Sequence, residues 1–315
     1  MRSRAMRSRP RRRDASPEPP EEIIVSVKQG GALLAPDAEP PPYTDDPGAP
    51  YRIISLLAPS VAGVGTSCNL WEGGTLLCRY LQDAHAELSL HRSACLELGA
   101  GLGACGIKAC ALGAKSVVLT DLPEAMQLLT YNVRSNLTAD ELQRVSTVAY
   151  TWGGDSSAVR TAHSDGAFDY IFAGDLVYHV DLVRPLLMAI DALATSARTT
   201  VLLAVRSRPG KLAQQEAVLT GLQAMGFRLV RVDLPCVQRG TYLVRARRRR
   251  DRTGRAAENA GAVVAGGGAR GGGAWARRLS TLWRRQRRRP RDDDDGSAAI
   301  ELDIAALLEE VSCGT

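Results

Sequence analysis

The 315-residue sequence lacks several features that would assign it to a specialised class of protein. No apolar run approaches the ~18 residues that a transmembrane helix requires, and no apolar signal-peptide core follows the N-terminal arginines. The seven cysteines are odd in number and include no CxxC pair of the kind that binds metal. We therefore expect no membrane span, no disulfide scaffold and no zinc site. Free thiols of this kind suit a reducing, intracellular compartment.

The excess of positive charge is concentrated in the C-terminal part of the chain. The formal net charge is +6. Residues 51–245 hold 17 basic and 16 acidic side chains, whereas residues 246–315 hold 15 arginines against 10 acids. The basic balance therefore belongs to the C-terminal region and does not predict a nucleic-acid-binding core. We expect a cytoplasmic protein, and the arginine runs at 247–250 and 284–291 permit nuclear entry without requiring it.

Composition divides the chain into three parts. Residues 1–50 hold 10 of the 16 prolines, which predicts a mostly disordered segment, with an Arg-rich targeting peptide as the alternative. Residues 51–248 form the predicted globular domain. Residues 249–315 form a low-complexity tail rich in Gly, Arg and Asp. Apolar residues at helical spacing predict two amphipathic helices of opposite charge in this tail, at 275–291 and 297–311, and we expect them to pair.

Strand-like and helix-like segments alternate from residue 92 onward, which predicts an α/β fold with a mostly parallel sheet. The predicted strands are 94–98, 116–120, 146–152, 168–173, 199–206, 227–234 and 241–248, and the predicted helices are 103–113, 123–136, 180–195 and 211–225. The last two strands have no helix between them, so they are expected to form an antiparallel hairpin. The prediction is a Rossmann-like sheet of seven strands, with further short strands at 23–27 and 51–57.

A glycine-rich turn ends the first of these seven strands. Gly99 and Gly101 lie where the strand turns into a helix, and glycine there lets a ligand approach the backbone N–H groups. Asp121 ends the next strand, 22 residues after Gly99, where a carboxylate accepts hydrogen bonds from ribose hydroxyls. This pattern alone fits a nicotinamide dinucleotide and S-adenosylmethionine (SAM) equally well.

Three further features favour SAM. Glu97, two places before Gly99, puts a carboxylate near the ligand, where it repels a pyrophosphate and attracts the ammonium of a methionine moiety. Trp152 ends the third predicted strand, where an indole can pack on an adenine. Asp175 and Tyr178 follow the fourth strand and put a carboxylate and a phenol at the carboxyl edge of the sheet, where α/β folds bind ligands.

Six motifs follow one another at close spacing. They are NLWEGG at 69–74, LELGAGLGACGI at 96–107, VVLTDLPEA at 117–125, Asn132 with Asn136, YTWGG at 150–154 and AGDLVY at 173–178. Together they resemble the seven-β-strand protein-lysine N-methyltransferases of methyltransferase-like family 16, in particular the methyltransferase-like 21 group. The resemblance covers about residues 51–248. It implies the class I SAM-dependent methyltransferase fold, SAM as cofactor and a protein lysine as acceptor.

The resemblance also implies which residues bind SAM. They are the tryptophan before the first helix, the glycine turn, the acid after the second strand, the tryptophan after the third strand and the residue before the DxxY motif. By position these are Trp71, Gly99, Ala100, Gly101, Asp121, Trp152 and Gly174, and the charge argument adds Glu97. The family commonly has alanine where this chain has Gly174.

Methyl transfer to an amine is an in-line displacement that needs no metal and no covalent enzyme intermediate. The protein has to admit the amine uncharged, because a lysine with a pKa near ~10.4 has no free lone pair at neutral pH. Desolvation in a narrow channel favours the neutral amine. We expect Asp175 to orient the amine and Tyr178 to line the channel, which makes these two the predicted catalytic residues.

The predicted function is therefore SAM-dependent methylation of a protein side chain, with lysine as the leading target. Methylation of a histidine or of a small-molecule amine, and a SAM-fold adaptor without turnover, are the alternatives. A nicotinamide-dependent oxidoreductase is disfavoured by Glu97. Relatives with this core modify chaperones and translation factors, so the resemblance implies a protein partner. We expect a monomer that requires no nucleic acid.

Overall fold

The computed structural model describes most of the predicted globular domain and two short segments outside it. The described residues are 22–29, 51–58, 65–163, 167–208, 210–234, 240–248 and 302–305. The basic helix predicted at 275–291 lies outside these ranges, as do the segments 1–21 and 35–50.

Nine strands are present in the described part of the chain. They are β1 Glu22–Gln29, β2 Tyr51–Ala58, β3 Ala94–Leu98, β4 Ser116–Asp121, β5 Val145–Ala149, β6 Tyr170–Gly174, β7 Thr200–Arg206, β8 Phe227–Val232 and β9 Thr241–Arg248. Seven of them form one sheet in the order β5-β4-β3-β6-β7-β9-β8. Neighbours from β5 to β7 pair in parallel, and β9 pairs antiparallel to both β7 and β8. The seven-stranded, mostly parallel sheet with a C-terminal antiparallel hairpin is confirmed.

Seven α-helices lie among the described residues. They are α1 Glu72–Ala84, α2 Ala104–Ala111, α3 Met126–Asn136, α4 Ala139–Leu142, α5 Ser157–Thr161, α6 Val183–Leu193 and α7 Leu212–Ala224. The four helices expected from periodicity correspond to α2, α3, α6 and α7, and a short 3-10 turn precedes both α3 and α6. In these described ranges no helix has the length and apolar character needed to cross a bilayer.

Two apolar clusters cover the two faces of the sheet. The first joins α1, α2 and α3 to one face, and the second joins α6 and α7 to the other. Every residue of β3 is buried, and its side chains alternate between the clusters, Cys95 facing the first and Leu96 the second. This is the burial expected of a central parallel strand that has helices on both faces.

The N-terminal strands β1 and β2 form a separate parallel pair beside α3, which confirms both short strands predicted there. Two asparagines of α3 form paired hydrogen bonds with the backbone of β2 through their side-chain amides. Oδ1 of Asn132 accepts from the Leu57 N–H at 2.8 Å, and Oδ1 of Asn136 accepts from the Ser55 N–H at 2.7 Å. Their amides donate back to the carbonyls of the same residues. The asparagine pair in the sequence motif thus attaches β2 to the domain.

Arg248 ends β9 and is buried. Its guanidinium pairs with Asp191 and donates to the carbonyl oxygens of Ala194 and Met225, each at 3.3 Å. The arginine run at 247–250 therefore does not lie wholly in the tail, because its second member belongs to the domain interior.

A short C-terminal segment returns to the sheet. The Leu302 N–H donates to the Leu229 carbonyl of β8 at 3.0 Å, and Ile304 is buried in the second apolar cluster. At least part of the apolar face predicted at 297–311 therefore packs on the domain, while its predicted pairing with 275–291 lies outside the described residues. The domain limits 51–248 stay a prediction, with contacts from both flanking regions.

Candidate functional site

A cavity of about 410 Å³ lies at the carboxyl ends of β3, β4, β6 and β7. The chain leaves β3 toward β4 on one side and returns to β6 on the other, so the cavity occupies a topological switch point, where α/β sheets bind ligands. Its volume falls within the range of ~300–1,000 Å³ that small-molecule sites occupy. All ten residues predicted from the sequence line it: Trp71, Glu97, Gly99, Ala100, Gly101, Asp121, Trp152, Gly174, Asp175 and Tyr178.

The turn after β3 requires glycine. Gly99 and Gly101 adopt left-handed φ angles of 57° and 54°. A Cβ on Gly99 would lie 2.7 Å from Cδ2 of Leu176 and 3.0 Å from Cζ2 of Trp152, which is closer than real contacts allow. The glycine therefore lets the indole of Trp152 pack directly on the turn.

The strand predicted at 146–152 is shorter than expected. β5 ends at Ala149, and Trp152 lies in the turn that follows. Gly153 has a φ of 81°, which reverses the chain immediately after the indole. Trp152 therefore reaches the cavity from a loop, and its contact with Gly99 holds it there.

Asp121 ends β4 and binds the glycine turn. Its Oδ2 accepts from the Gly101 N–H at 2.6 Å, its Oδ1 accepts from the Leu122 N–H at 2.7 Å, and the Ser67 hydroxyl donates to Oδ1 at 3.4 Å. Burial raises the pKa of this carboxyl, and the bonds from Gly101 and Leu122 oppose the rise. Because each carboxylate oxygen accepts more than one hydrogen bond, Asp121 can hold the turn and still accept from a ligand.

Glu97 points from β3 toward α2 and is only 5% exposed. Its Oε2 accepts from the Gly106 N–H at 2.7 Å. Burial raises the pKa of the Glu97 carboxyl to about 7, and the hydrogen bonds from Gly106 and Cys105 oppose that rise. The carboxylate that was predicted to face a ligand ammonium is thus also attached to the first turn of α2.

We predict that Glu97→Gln stabilises the protein without ligand in a pH-dependent way. The folded-state pKa of about 7 lies above the ordinary value of 4.5. The contribution of Glu97 to the free energy of unfolding of the wild type is therefore fully present below pH 4.5 and is lost as the pH rises through 7. Glutamine keeps an acceptor for Gly106 and carries no charge. We expect the free energy of unfolding of Glu97→Gln to equal that of wild type near pH 4.5 and to exceed it by about 3 kcal/mol at pH 8.

Thermal and urea unfolding at several pH values would measure this difference. Glu216→Gln, at an exposed position on α7, controls for loss of a surface carboxylate. A difference that stays constant from pH 4.5 to 8 would contradict the prediction.

Asp175 follows β6 and has a left-handed φ of 54°, which is uncommon for a residue other than glycine. Its Oδ2 accepts from the Gly73 N–H of α1 at 2.8 Å, and its Oδ1 accepts from the Arg206 N–H of β7 at 2.6 Å. Burial raises the pKa of the carboxyl, while these two bonds lower it. Asp175 therefore fastens two walls of the cavity together, and only its remaining lone pairs are available to a substrate.

Gly174 packs against the glycine pair that begins α1. A Cβ at Gly174 would lie 3.1 Å from both N and Cα of Gly74. The alanine common in the family would require a small displacement of α1 here. Glycine thus allows a close approach of β6 and α1, and the backbone of position 174 still lines the cavity.

Tyr178 stands at the mouth of the cavity with 41% of its surface exposed. Its hydroxyl lies 3.3 Å from Oγ1 of Thr66, and its carbonyl accepts from Nζ of Lys211 at 2.7 Å. The indole N–H of Trp71 donates to the Thr66 carbonyl at 3.0 Å. The phenol is therefore held at the entrance of the cavity.

Sequence analysis missed a group of charged residues at the same entrance. Nη2 of Arg208 lies 2.7 Å from Oε2 of Glu72, and its guanidinium lies 4.9 Å from the centre of the Trp71 ring. Nη1 of Arg206 lies 3.8 Å from Oε1 of Glu72. A signal was available, because Arg206 ends the strand predicted at 199–206 and Arg208 follows it, and carboxyl strand ends face the ligand edge.

No group of three or more His, Cys, Asp or Glu side chains suited to a metal ion occurs in the described ranges.

Comparison with known proteins gives the family. The model described as lysine methyltransferase matches residues 55–221, which is more than half of the chain. The chain belongs to the lysine methyltransferase family. The match includes all ten predicted site residues and excludes β1, β8 and β9.

Three relatives that are similar to this chain are named as lysine methyltransferases. Protein N-lysine methyltransferase METTL21A of Xenopus tropicalis is 34% identical over 145 residues, which cover 46% of this chain and 63% of that protein. Protein-lysine methyltransferase METTL21E of Mus musculus is 33% identical over 141 residues, covering 44% and 56%. EEF1A lysine methyltransferase 3 of Xenopus tropicalis is 29% identical over 147 residues, covering 47% and 61%. The matches therefore span less than two thirds of the length of these relatives.

Proposed function

We propose that this chain transfers the methyl group of SAM to a lysine side chain of a protein substrate. The observation that carries the proposal is the convergence of ten predicted residues on one cavity at the switch point of the sheet. That cavity lies almost wholly within the stretch that matches the lysine methyltransferase family. The family and the geometry of the site thus support the same chemistry.

The residues of the cavity fit SAM better than a dinucleotide. Glu97 and Asp121 are buried carboxylates that line it, and a pyrophosphate beside Glu97 would be repelled. The same carboxylates suit the ammonium and the ribose hydroxyls of SAM, and Trp152 on the glycine turn suits the adenine. When bound, SAM supplies a methyl group that its sulfonium makes electrophilic.

Asp175 and Tyr178 are proposed to prepare the substrate lysine. Asp175 is positioned to accept a hydrogen bond from the incoming nitrogen and so to orient its lone pair, since each of its oxygens retains a lone pair. The largely apolar cavity wall, which includes Leu176 and Val205, disfavours the charged amine and promotes loss of its proton. The exposed ring of Tyr178 is proposed to pack on the methylene stem of the lysine.

The test combines binding with transfer. Purified full-length protein is titrated by calorimetry with SAM, S-adenosylhomocysteine and NADH, and is then incubated with methyl-labelled SAM and cell lysate. We expect heat with the first two ligands and label recovered as methyl-lysine after hydrolysis of protein bands. Because one relative is named for EEF1A, translation factors are the first bands to identify.

Each other result overturns a different part of the proposal. Binding of SAM without labelled protein would favour an adaptor, and label recovered as methyl-histidine would change the acceptor. Binding of NADH in place of SAM would favour the oxidoreductase.

A further inference from the structure

Three cationic side chains line the entrance of the cavity. Arg206, Arg208 and Lys211 come from the end of β7 and the connection to α7, and no acidic residue lies between them. They are called the basic rim below. Since parallel strands end at the ligand edge of the sheet, the basic rim lies where a substrate chain reaches the site.

The basic rim is held in place by its neighbours. Arg208 pairs with Glu72 at 2.7 Å and stacks on Trp71, yet its side chain is 41% exposed. A guanidinium has five N–H donors, so the contact with Glu72 leaves others for a ligand. Lys211 donates to the neutral carbonyl of Tyr178 at 2.7 Å, which leaves the charge of its ammonium uncompensated at that contact.

The charges of the site form two zones. In the basic rim, both arginines approach the carboxylate of Glu72, and Arg208 also attracts the carboxylate of Asp175. Deeper in the cavity, Glu97, Asp121 and Asp175 are acidic. The entrance is therefore positive and the interior negative. A lysine that enters alone crosses a repulsive rim, whereas carboxylates beside that lysine in the substrate would pair with the cations of the rim.

We propose that the basic rim selects a target lysine whose neighbours are acidic. The proposal rests on the proposed function and names the substrate class of the same site. A neutral or basic neighbourhood around the lysine would leave the cations of the rim unpaired, which discriminates against such substrates. A nucleic acid is a poorer match, because residues 51–245 are nearly neutral and the rim occupies a single connection.

The test uses two labelled peptides with the same Gly/Ser frame. One has a central lysine with two aspartates on each side, and the other has asparagines at those four positions. Transfer is measured as kcat/KM, and binding is measured by fluorescence anisotropy in the presence of S-adenosylhomocysteine. We expect the aspartate peptide to be preferred by about tenfold at low salt, with the preference reduced at high salt.

Two variants isolate the rim from the rest of the chain. Lys211→Gln removes one rim cation, and we expect it to reduce the preference by about threefold. Lys115→Gln removes an exposed lysine just before β4, at the opposite edge of the sheet, and should leave the preference unchanged. Any attraction of acidic peptides by the arginine-rich ends of the chain is the same in wild type and in both variants. A difference in peptide preference between these proteins therefore reports on the rim.

The outcomes separate the two proposals. Transfer with equal kcat/KM for both peptides overturns rim selection and leaves the proposed function intact. A preference that stays at about tenfold in Lys211→Gln also overturns it. An oligouridylate that outcompetes the aspartate peptide, and loses affinity in Lys211→Gln, would make the rim a nucleic-acid contact. If neither peptide nor any lysate protein is methylated, the proposed function is wrong. The anisotropy measurement still shows in that case whether the rim prefers the aspartate peptide.

Discussion

Asp175→Ala is expected to lower kcat for methyl transfer about 100-fold and to weaken SAM binding less than tenfold. The carboxylate joins Gly73 at the start of α1 to Arg206 at the end of β7, and both segments line the cavity. Without it, these walls lose their common anchor, and a displacement of about 1 Å between reacting groups costs on the order of 100-fold in rate. Alanine also suits the φ of 54° less well than aspartate does.

The measurements are kcat, KM for SAM and the thermal midpoint of each variant. Asp175→Asn keeps one acceptor oxygen and the shape of the side chain, so it should fall between wild type and alanine. Asp140→Ala, at an exposed position at the start of α4, controls for loss of a carboxylate. If Asp175→Ala turned over at the wild-type rate with normal SAM binding, Asp175 would have neither the orienting nor the anchoring role.

Asp121→Ala is expected to weaken binding of SAM and of S-adenosylhomocysteine by about 100-fold. A hydrogen bond to a charged group contributes about 1.5–3 kcal/mol. Loss of two such bonds to the ribose, at about 1.5 kcal/mol each, weakens binding about 100-fold. The substitution also removes the acceptor of the Gly101 N–H, which holds the glycine turn against β4. Loss of the ligand bonds and loosening of the turn both weaken binding.

Titration calorimetry with S-adenosylhomocysteine would measure this affinity, and thermal unfolding would show whether the fold persists. Asp121→Asn keeps one acceptor and should lose about tenfold, on the basis of one such bond. The same Asp140→Ala variant is the control. An Asp121→Ala protein that binds within threefold of wild type would remove Asp121 from the cofactor site.

The fold was predictable because its pattern is simple. Mostly apolar strands such as β3 alternate with helical segments, and that alternation admits few topologies. The ends of strands were less predictable. Tyr150 and Trp152 are residues that favour strands, so propensity extended β5 to 152, whereas the turn at Gly153 ends it earlier. Tertiary geometry overrode the local preference.

The membership of the site was predictable, but the contacts of its residues were not. Parallel strands bring their carboxyl ends together, which predicted that the acids and aromatics near those ends converge, whereas Trp71 before α1 was predicted only from the family resemblance. The hydrogen-bond partner of Asp175 in α1 is 102 positions away, and that of Arg208 is 136 positions away. No local pattern links such residues. The anchoring role of Asp175 and the basic rim therefore emerge only from the three-dimensional structure.

The return of Leu302 to β8 brings together the described residues that flank the arginine-rich sequence 249–301. Arg248 lies opposite Phe227 in β8, and Leu302 bonds to Leu229, two residues further along the same strand. Arg248 and Leu302, the described residues on either side of 249–301, thus attach side by side to β8, so this one strand holds both flanks of the stretch at the edge of the sheet.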